Sequence, residues 1–256
     1  MSLLQLRHLT KRFDGLTAVD NFSAEVDSGE LCALIGPNGA GKTTIFNLIT
    51  GIYEPSEGHV YFEGKDITAK RPDIIAGLGV ARTFQNIRLF EGMDVLGNVL
   101  VGRHLRLKAD PFSAILRLPN YSREERTMRE EAMELLESLE LSHLAHEDAT
   151  SLPYGEQRKL EIARALAVKP KLLLLDEPAA GMNPAEREEL MAFVVHILDT
   201  FELTIFLIEH QMQVVMGICP RIIVIDYGET IAEGPPDAIQ NNPRVIEAYL
   251  GVGDYA

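Results

Sequence analysis

The chain has 256 residues, 46% hydrophobic and 24% charged, with Lys+Arg 24 against Asp+Glu 38 and a net charge of −14. That is enough chain for a full core in one domain or two joined lobes. The acidic balance argues against broad electrostatic capture of nucleic acid or anionic lipid, though not against a local basic patch, and apolar runs such as Leu172–Leu175 and Thr204–Ile208 are too short to span a bilayer. The start Met1-Ser2-Leu3-Leu4-Gln5 lacks a signal-peptide pattern, so the chain reads as cytoplasmic. Cys32 and Cys219 are far apart in sequence, and Cys32 lies in an apolar run, which favours a buried thiol over a disulfide.

Leu4–Leu9 alternates apolar and polar residues, as a half-buried strand does, and Lys11–Gly15 reads as a turn with Phe13 at its tip. Phe13 reads as a core residue, with base stacking as the open alternative. Val19–Val26 alternates again, and Asp27–Glu30 turns the chain into the apolar strand Leu31–Ile35. Gly36-Pro37-Asn38-Gly39-Ala40-Gly41-Lys42-Thr43 then fits the phosphate-binding pattern G-x-x-x-x-G-K-[ST]. Glycines there let backbone N–H groups turn toward phosphate oxygens. The helical run Thr44–Thr50, closed by Gly51, points its positive end at the same anion. Lys42 can reach the outer phosphates, and the Thr43 hydroxyl can ligate Mg2+.

His59–Phe62 reads as a strand of a small antiparallel sheet, and Gly79–Phe84 as a strand ending in Gln85. Helical segments follow at Asp94–Leu105 and Arg123–Leu141, the second dense in Glu and Arg, as a solvated face is. Ser151–Arg158 opens a helix through about Val168, with Leu160, Ala163 and Leu166 on one face. The strand Leu172–Leu175 ends in Asp176-Glu177-Pro178. A helix over Pro184–Phe201 precedes the strand Thr204–Ile208, which ends in Glu209-His210. Strands at Arg221–Asp226 and Thr230–Ala232 and one helix from about Pro236 to Leu250 complete the chain. Apolar strands alternating with helices predict a mostly parallel sheet with ligands at its carboxyl edge. The phosphate loop, Gln85, Asp176-Glu177 and His210 each follow a strand and can converge there. Asp176 suits a water-mediated Mg2+ ligand, and Glu177 a residue that orients or deprotonates an attacking water. Alone, those acids read equally as an exposed strand end, His210 as a core or capping histidine, and Gln85 as nothing in particular.

In combination, the order of the phosphate loop, Gln85, Leu152–Arg158, Leu172–Pro178, Ala180–Asn183 and His210 resembles the ATP-binding cassette (ABC) ATPases over essentially the whole chain. Arg82-Thr83-Phe84-Gln85, Arg88-Leu89-Phe90, Leu160–Ala165 and Ile208-Glu209-His210 resemble the longer ATPase subunit of bacterial branched-chain (hydrophobic) amino acid importers. The resemblance implies an α/β P-loop fold: a RecA-like, mostly parallel sheet, an antiparallel β subdomain and an inserted α-helical subdomain. It places the core at residues 1–85 and 158–256 and the helical part at 86–157. It also implies the roles of single residues. Phe13 stacks on adenine; Gly36 to Thr44 hold the phosphates; Thr43, Gln85 and Asp176 serve Mg2+. Glu177 is the general base, and His210 contacts the γ-phosphate.

Leu152–Gln157 matches the signature segment, whose Tyr154, Gly155 and Glu156 would cap ATP bound to a second cassette, identical or related. The remaining implied partners are transmembrane permease subunits and, through them, a solute-binding protein, with the cassette peripheral on the inner face of the membrane and no nucleic acid. Two positions depart from the family pattern. The usual Leu-Ser-Gly-Gly-Gln is Leu152-Pro153-Tyr154-Gly155-Glu156, without the serine hydroxyl, and the usual aspartate after the acidic pair is Asn183. A lipid-exporting cassette and a non-transport cassette acting on DNA or ribosomes are the alternatives; a P-loop kinase or GTPase leaves Leu152–Arg158 unexplained. Arg103, Arg106, Lys108 and Arg117, interleaved with Phe112, Ile115, Leu116 and Leu118, form a basic island that reads either as a solvated loop or as a face for the permease or anionic headgroups.

Overall fold

The computed structural model describes residues 2–104 and 119–250. By contact the chain divides into two units, residues 1–85 with 171–256, and residues 86–170.

In the first unit the strands β1 (Ser2–Phe13) and β2 (Leu16–Asp27) form an antiparallel hairpin, joined by β4 (Glu57–Phe62) and the short β5 (Lys65–Asp66) in the order β2-β1-β4-β5. Phe22, Ala24 and Val26 face inward on alternate positions of β2, the pattern of a sheet wet on one side. Lys11, Arg12 and Phe13 continue β1 and do not turn; the reversal is the two-residue loop Asp14-Gly15, after which Leu16 pairs with Phe13.

A six-stranded sheet runs β10-β9-β3-β8-β7-β6, with β3 (Leu31–Ile35), β6 (Val80–Arg82), β7 (Leu172–Asp176), β8 (Thr204–Ile208) and β9 (Arg221–Asp226) parallel and β10 (Glu229–Gly234) antiparallel at one edge. β3, β7 and β8 are buried along their whole length, which is why each is a continuous apolar run. Helix α1 (Lys42–Ile49) shares one core with both sheets: Ile45, Phe46 and Ile49 pack with Leu6 and Phe22 on one side and Leu34 and Leu174 on the other. The Phe46 and Phe206 rings lie 5.4 Å apart. Cys32 and Cys219 are free and buried, and burial pushes the Cys32 thiol up to about 12.

The second unit is helical, with α3 (Val95–His104), α4 (Pro119–Ser138) and α5 (Tyr154–Leu166). Its boundary falls after residue 170, not at the expected 157/158. The reason is packing along α5. The Arg103 guanidinium donates to the Ala167 carbonyl at 3.2 Å, Arg88 N–H donates to Glu161, and Arg164 donates to the Arg88 carbonyl. Arg103 is therefore buried, and it also pairs with Glu131, so it does not belong to an exposed basic island. The rest of that island, residues 106–118, lies outside the described residues.

Two short helices leave no clear period in the sequence, α2 (Pro72–Leu78) and α7 (Met212–Ile218). After α6 (Pro184–Thr200), the expected single C-terminal helix is two, α8 (Pro236–Gln240) and α9 (Pro243–Leu250). The chain breaks at Asn241-Asn242, where the Asn242 side chain accepts from Arg244 N–H and Pro243 opens the next helix.

Candidate functional site

Strand register sets the site. Ile208 stands opposite Leu34 on one side and Asp176 on the other, so β3, β8 and β7 finish on one line. Gly36, Glu177 and Glu209 all leave the sheet at that carboxyl edge. Thr83 N–H donates to the Leu174 carbonyl, which carries the chain after β6 toward the same edge.

The phosphate loop joins β3 to α1. Gly41 sits at the helix N-cap with φ +103, and a Cβ there would run into the Ala18 carbonyl; a Cβ on Gly36 would run into the Ile225 carbonyl. Only glycine leaves this cradle open. Among the described residues no side chain caps α1 and no acid occupies its first turn, so its free N–H groups remain available to an anion. The buried Lys42 ammonium donates to the Gly36 and Pro37 carbonyls at 2.7 and 2.9 Å. Burial lowers its pKa, while Glu177 and Asp176 raise it. Thr43 and Thr44 follow, the first exposed and the second partly so. Pro37, Asn38, Gly39 and Ala40 also border a cleft of about 370 Å³ shared with Tyr227 and, on α9, Arg244 and Glu247.

Gln85, Glu177 and His210 come together. Gln85 Nε2 donates to Glu177 Oε2 at 2.8 Å, and His210 Nδ1 lies 3.6 Å from the same oxygen. Glu177 holds φ +46, a strained conformation for a residue with a side chain and worth of order 1–3 kcal/mol. It is held there because its N–H donates to the Ile208 carbonyl at 2.9 Å and its carbonyl accepts from Ala180 N–H. Asp176 is buried and accepts from Arg82 Nη2 at 2.7 Å. The set Thr43 hydroxyl, Gln85 amide and Asp176 carboxylate is all hard oxygen, few in number, and suits Mg2+, which keeps waters and phosphates in its shell.

Phe13 is not a core residue. It is half-exposed, edge-on to Tyr53 at 5.2 Å between ring centroids, with the Lys11 ammonium 4.9 Å from its ring.

The ABC transporter family model matches residues 19–180, well over half the chain. The chain belongs to the ABC transporter family. It is a nucleotide-binding ATPase cassette of that family. A second model, for the branched-chain amino acid ATP-binding cassette transporter, matches residues 229–255. Over 249 residues the cassette is 45% identical to the high-affinity branched-chain amino acid transport ATP-binding protein LivG of Escherichia coli (strain K12), covering 97% of this chain and 98% of that one. It is 35% identical to the ADP conformation of an ATP-binding cassette of an ABC transporter, with a TM-score of 0.86 over 98% and 99% of the two chains. A dimeric post-hydrolysis state of another cassette, bound to ADP and Pi, is 26% identical with a TM-score of 0.74, over 91% and 98%.

In the cassette's helical unit, Tyr154, Gly155 and Glu156 form the first turn of α5, with Pro153 as N-cap. Tyr154 is exposed, and its hydroxyl accepts from Arg158 Nη2 at 3.3 Å; Glu156 pairs with Lys159 at 3.2 Å. Asn183 has a structural reason. It caps α6: its side chain accepts from Glu186 N–H at 3.1 Å, and the Glu186 carboxylate accepts from Asn183 N–H at 3.0 Å. Asn caps as well as Asp does. Asn183→Ala is therefore expected to cost about 1 kcal/mol of stability, and Asn183→Asp little. Urea unfolding of the two variants measures this, and equal losses contradict it.

The sequence alone assigns no role to three contributors. Tyr53 flanks Phe13, and Arg82 holds Asp176. The third, Glu209, is fully buried: it accepts from Ala179 N–H at 3.1 Å and from His210 N–H at 3.2 Å, tying the segment after Glu177 to the histidine loop. Burial raises its pKa, while these amides and His210 lower it. An Arg in a strand and a Glu directly after one were the available signals.

Proposed function

We propose that the chain binds and hydrolyses ATP with Mg2+ as one ATPase subunit of an importer for branched-chain or other hydrophobic amino acids. The convergence of Lys42, Gln85, Asp176, Glu177 and His210 at one sheet edge carries this reading. The two branched-chain likenesses, at residues 229–255 and over 98% of LivG, support the substrate class.

Phe13 stacks on adenine, with Tyr53 beside it. The N–H groups of Gly36–Thr44 hold the phosphates, and Lys42 exchanges two neutral carbonyls for phosphate oxygens. Bound Mg2+ would neutralise charge on the outer phosphates. Thr43, Gln85 and, through water, Asp176 would hold it. Glu177 accepts the attacking water's proton on its carboxylate, which Gln85 Nε2 orients. His210 contacts the γ-phosphate. Tyr154, Gly155 and Glu156 cap ATP on a second cassette, identical or related. The backbone N–H groups that open α5 stand in for the missing serine hydroxyl. Two cassettes close head-to-tail around two ATPs, and segments near Gln85 pass that motion to separate transmembrane permease subunits, which a solute-binding protein supplies with substrate. The cassette thus works at the inner membrane face, as a peripheral subunit in the cytoplasm. The domain division follows the same logic: a nucleotide-binding core and a helical part that presents the signature segment.

Leucine uptake tests this. Permease, second cassette, solute-binding protein and this chain are reconstituted in vesicles, with ATP on the cassette side. ATP-dependent uptake that is lost with Glu177→Gln is expected. Uptake of lipid instead, or none with an otherwise active assembly, contradicts the substrate class.

A further inference from the structure

β6 spans three residues, yet its last one carries a guanidinium into the interior. The Arg82 side chain is 7% exposed and its partner Asp176 5%. Nη2 donates to Asp176 Oδ2 at 2.7 Å, and Nη1 donates to Asn47 Oδ1 on α1, also at 2.7 Å. The guanidinium carbon lies 5.6 Å from the Phe46 ring centroid and 5.3 Å from that of Phe84. One side chain thus touches the helix after the phosphate loop, the carboxylate at the end of β7, and the segment that leads to Gln85.

Packing alone does not ask for a charge here. An apolar pair of similar volume, in place of both Arg82 and Asp176, fills such a space at no desolvation cost, and a buried ion pair is often no more stable than its apolar replacement. What arginine adds is direction. Its planar fork fixes two acceptors at set angles, which a lysine point charge does not.

We propose that Arg82 is a positioning residue for the nucleotide site. It fixes the Asp176 carboxylate through Oδ2, keeps Oδ1 available to the Mg2+ shell, and locks that carboxylate to the strand that delivers Gln85. The proposal rests on the reading of Asp176 as a Mg2+ ligand.

The test reads nucleotide binding rather than turnover. N-methylanthraniloyl-ATP is titrated into the full chain, once with Mg2+ and once with EDTA, and the ratio of the two affinities is the Mg2+-dependent gain. Arg82→Lys is expected to lose about tenfold of that gain, the effect of one misdirected charge-assisted hydrogen bond, with affinity in EDTA within about twofold of the natural chain. Asp176→Asn is expected to abolish the gain, and adding Arg82→Lys to it is expected to change nothing more. Asn47→Ala removes one anchor of the fork without touching a charge. It is expected to lose about two- to threefold of the gain, and serves as the test if Arg82→Lys does not fold. A full gain in either Arg82→Lys or Asn47→Ala overturns the proposal. So does an equal loss in EDTA, which is the mark of general loosening. A full gain in Asp176→Asn overturns the metal-ligand reading and this proposal with it; a gain lost in Asp176→Asn but kept in Arg82→Lys overturns this proposal alone.

Discussion

Glu177→Gln is expected to bind ATP as the natural chain does and to turn it over at least about 10²-fold more slowly. The substitution keeps the shape of the side chain. The amide oxygen still accepts from Gln85 Nε2, which now stands 2.8 Å from Glu177 Oε2, and the backbone at φ +46 is still held by Ile208 and Ala180. What is lost is the ability to take a proton from water. The nucleotide cradle is built from other residues, the loop and Lys42, so affinity is left intact. Phosphate release under saturating ATP, with binding measured in parallel, separates the two. Near-normal turnover removes Glu177 from the role of base, and a matching fall in affinity makes it a structural residue.

Lys42→Ala is expected to fail at the earlier step. A charge-assisted hydrogen bond is worth about 1.5–3 kcal/mol, so losing the ammonium weakens ATP binding by roughly 10- to 100-fold. The ammonium is buried against two neutral carbonyls and close to two carboxylates, and burial disfavours its charge. Such a group is kept for an anion, because the fold itself gains little from it. Titration with ATP and with adenosine separates phosphate recognition from base stacking. Adenosine affinity is expected to hold, since the proposed base platform, Phe13 with Tyr53, is left in place. Unchanged ATP affinity contradicts the assignment of Lys42 to the phosphates.

Much of this site was legible because its residues follow strands. A buried strand shows as an unbroken apolar run, and Leu31–Ile35, Leu172–Leu175 and Thr204–Ile208 each precede a candidate site residue. The phosphate loop is legible because its chemistry allows few residue types. Pairings across the sheet were not. Arg82 and Asp176 are 94 positions apart and meet only through the register of β6 on β7. Glu209 reads in sequence as one more acid at a strand end, and only burial makes it an anchor for two loops. Asn183 looked like a lost charge and is a helix cap. Short elements such as α2 and α7 hold too few turns for a period to show, and Phe13 passes for core because exposure of a lone aromatic leaves no trace in sequence.

On this reading the cassette couples ATP hydrolysis to a membrane partner, with Glu177 as the base. The decisive comparison is ATP hydrolysis by the purified chain before and after assembly with permease and second cassette in membranes. Stimulation on assembly that disappears with Glu177→Gln is the predicted result. Hydrolysis that ignores assembly, or that rises with nucleic acid or ribosomes instead, would contradict it.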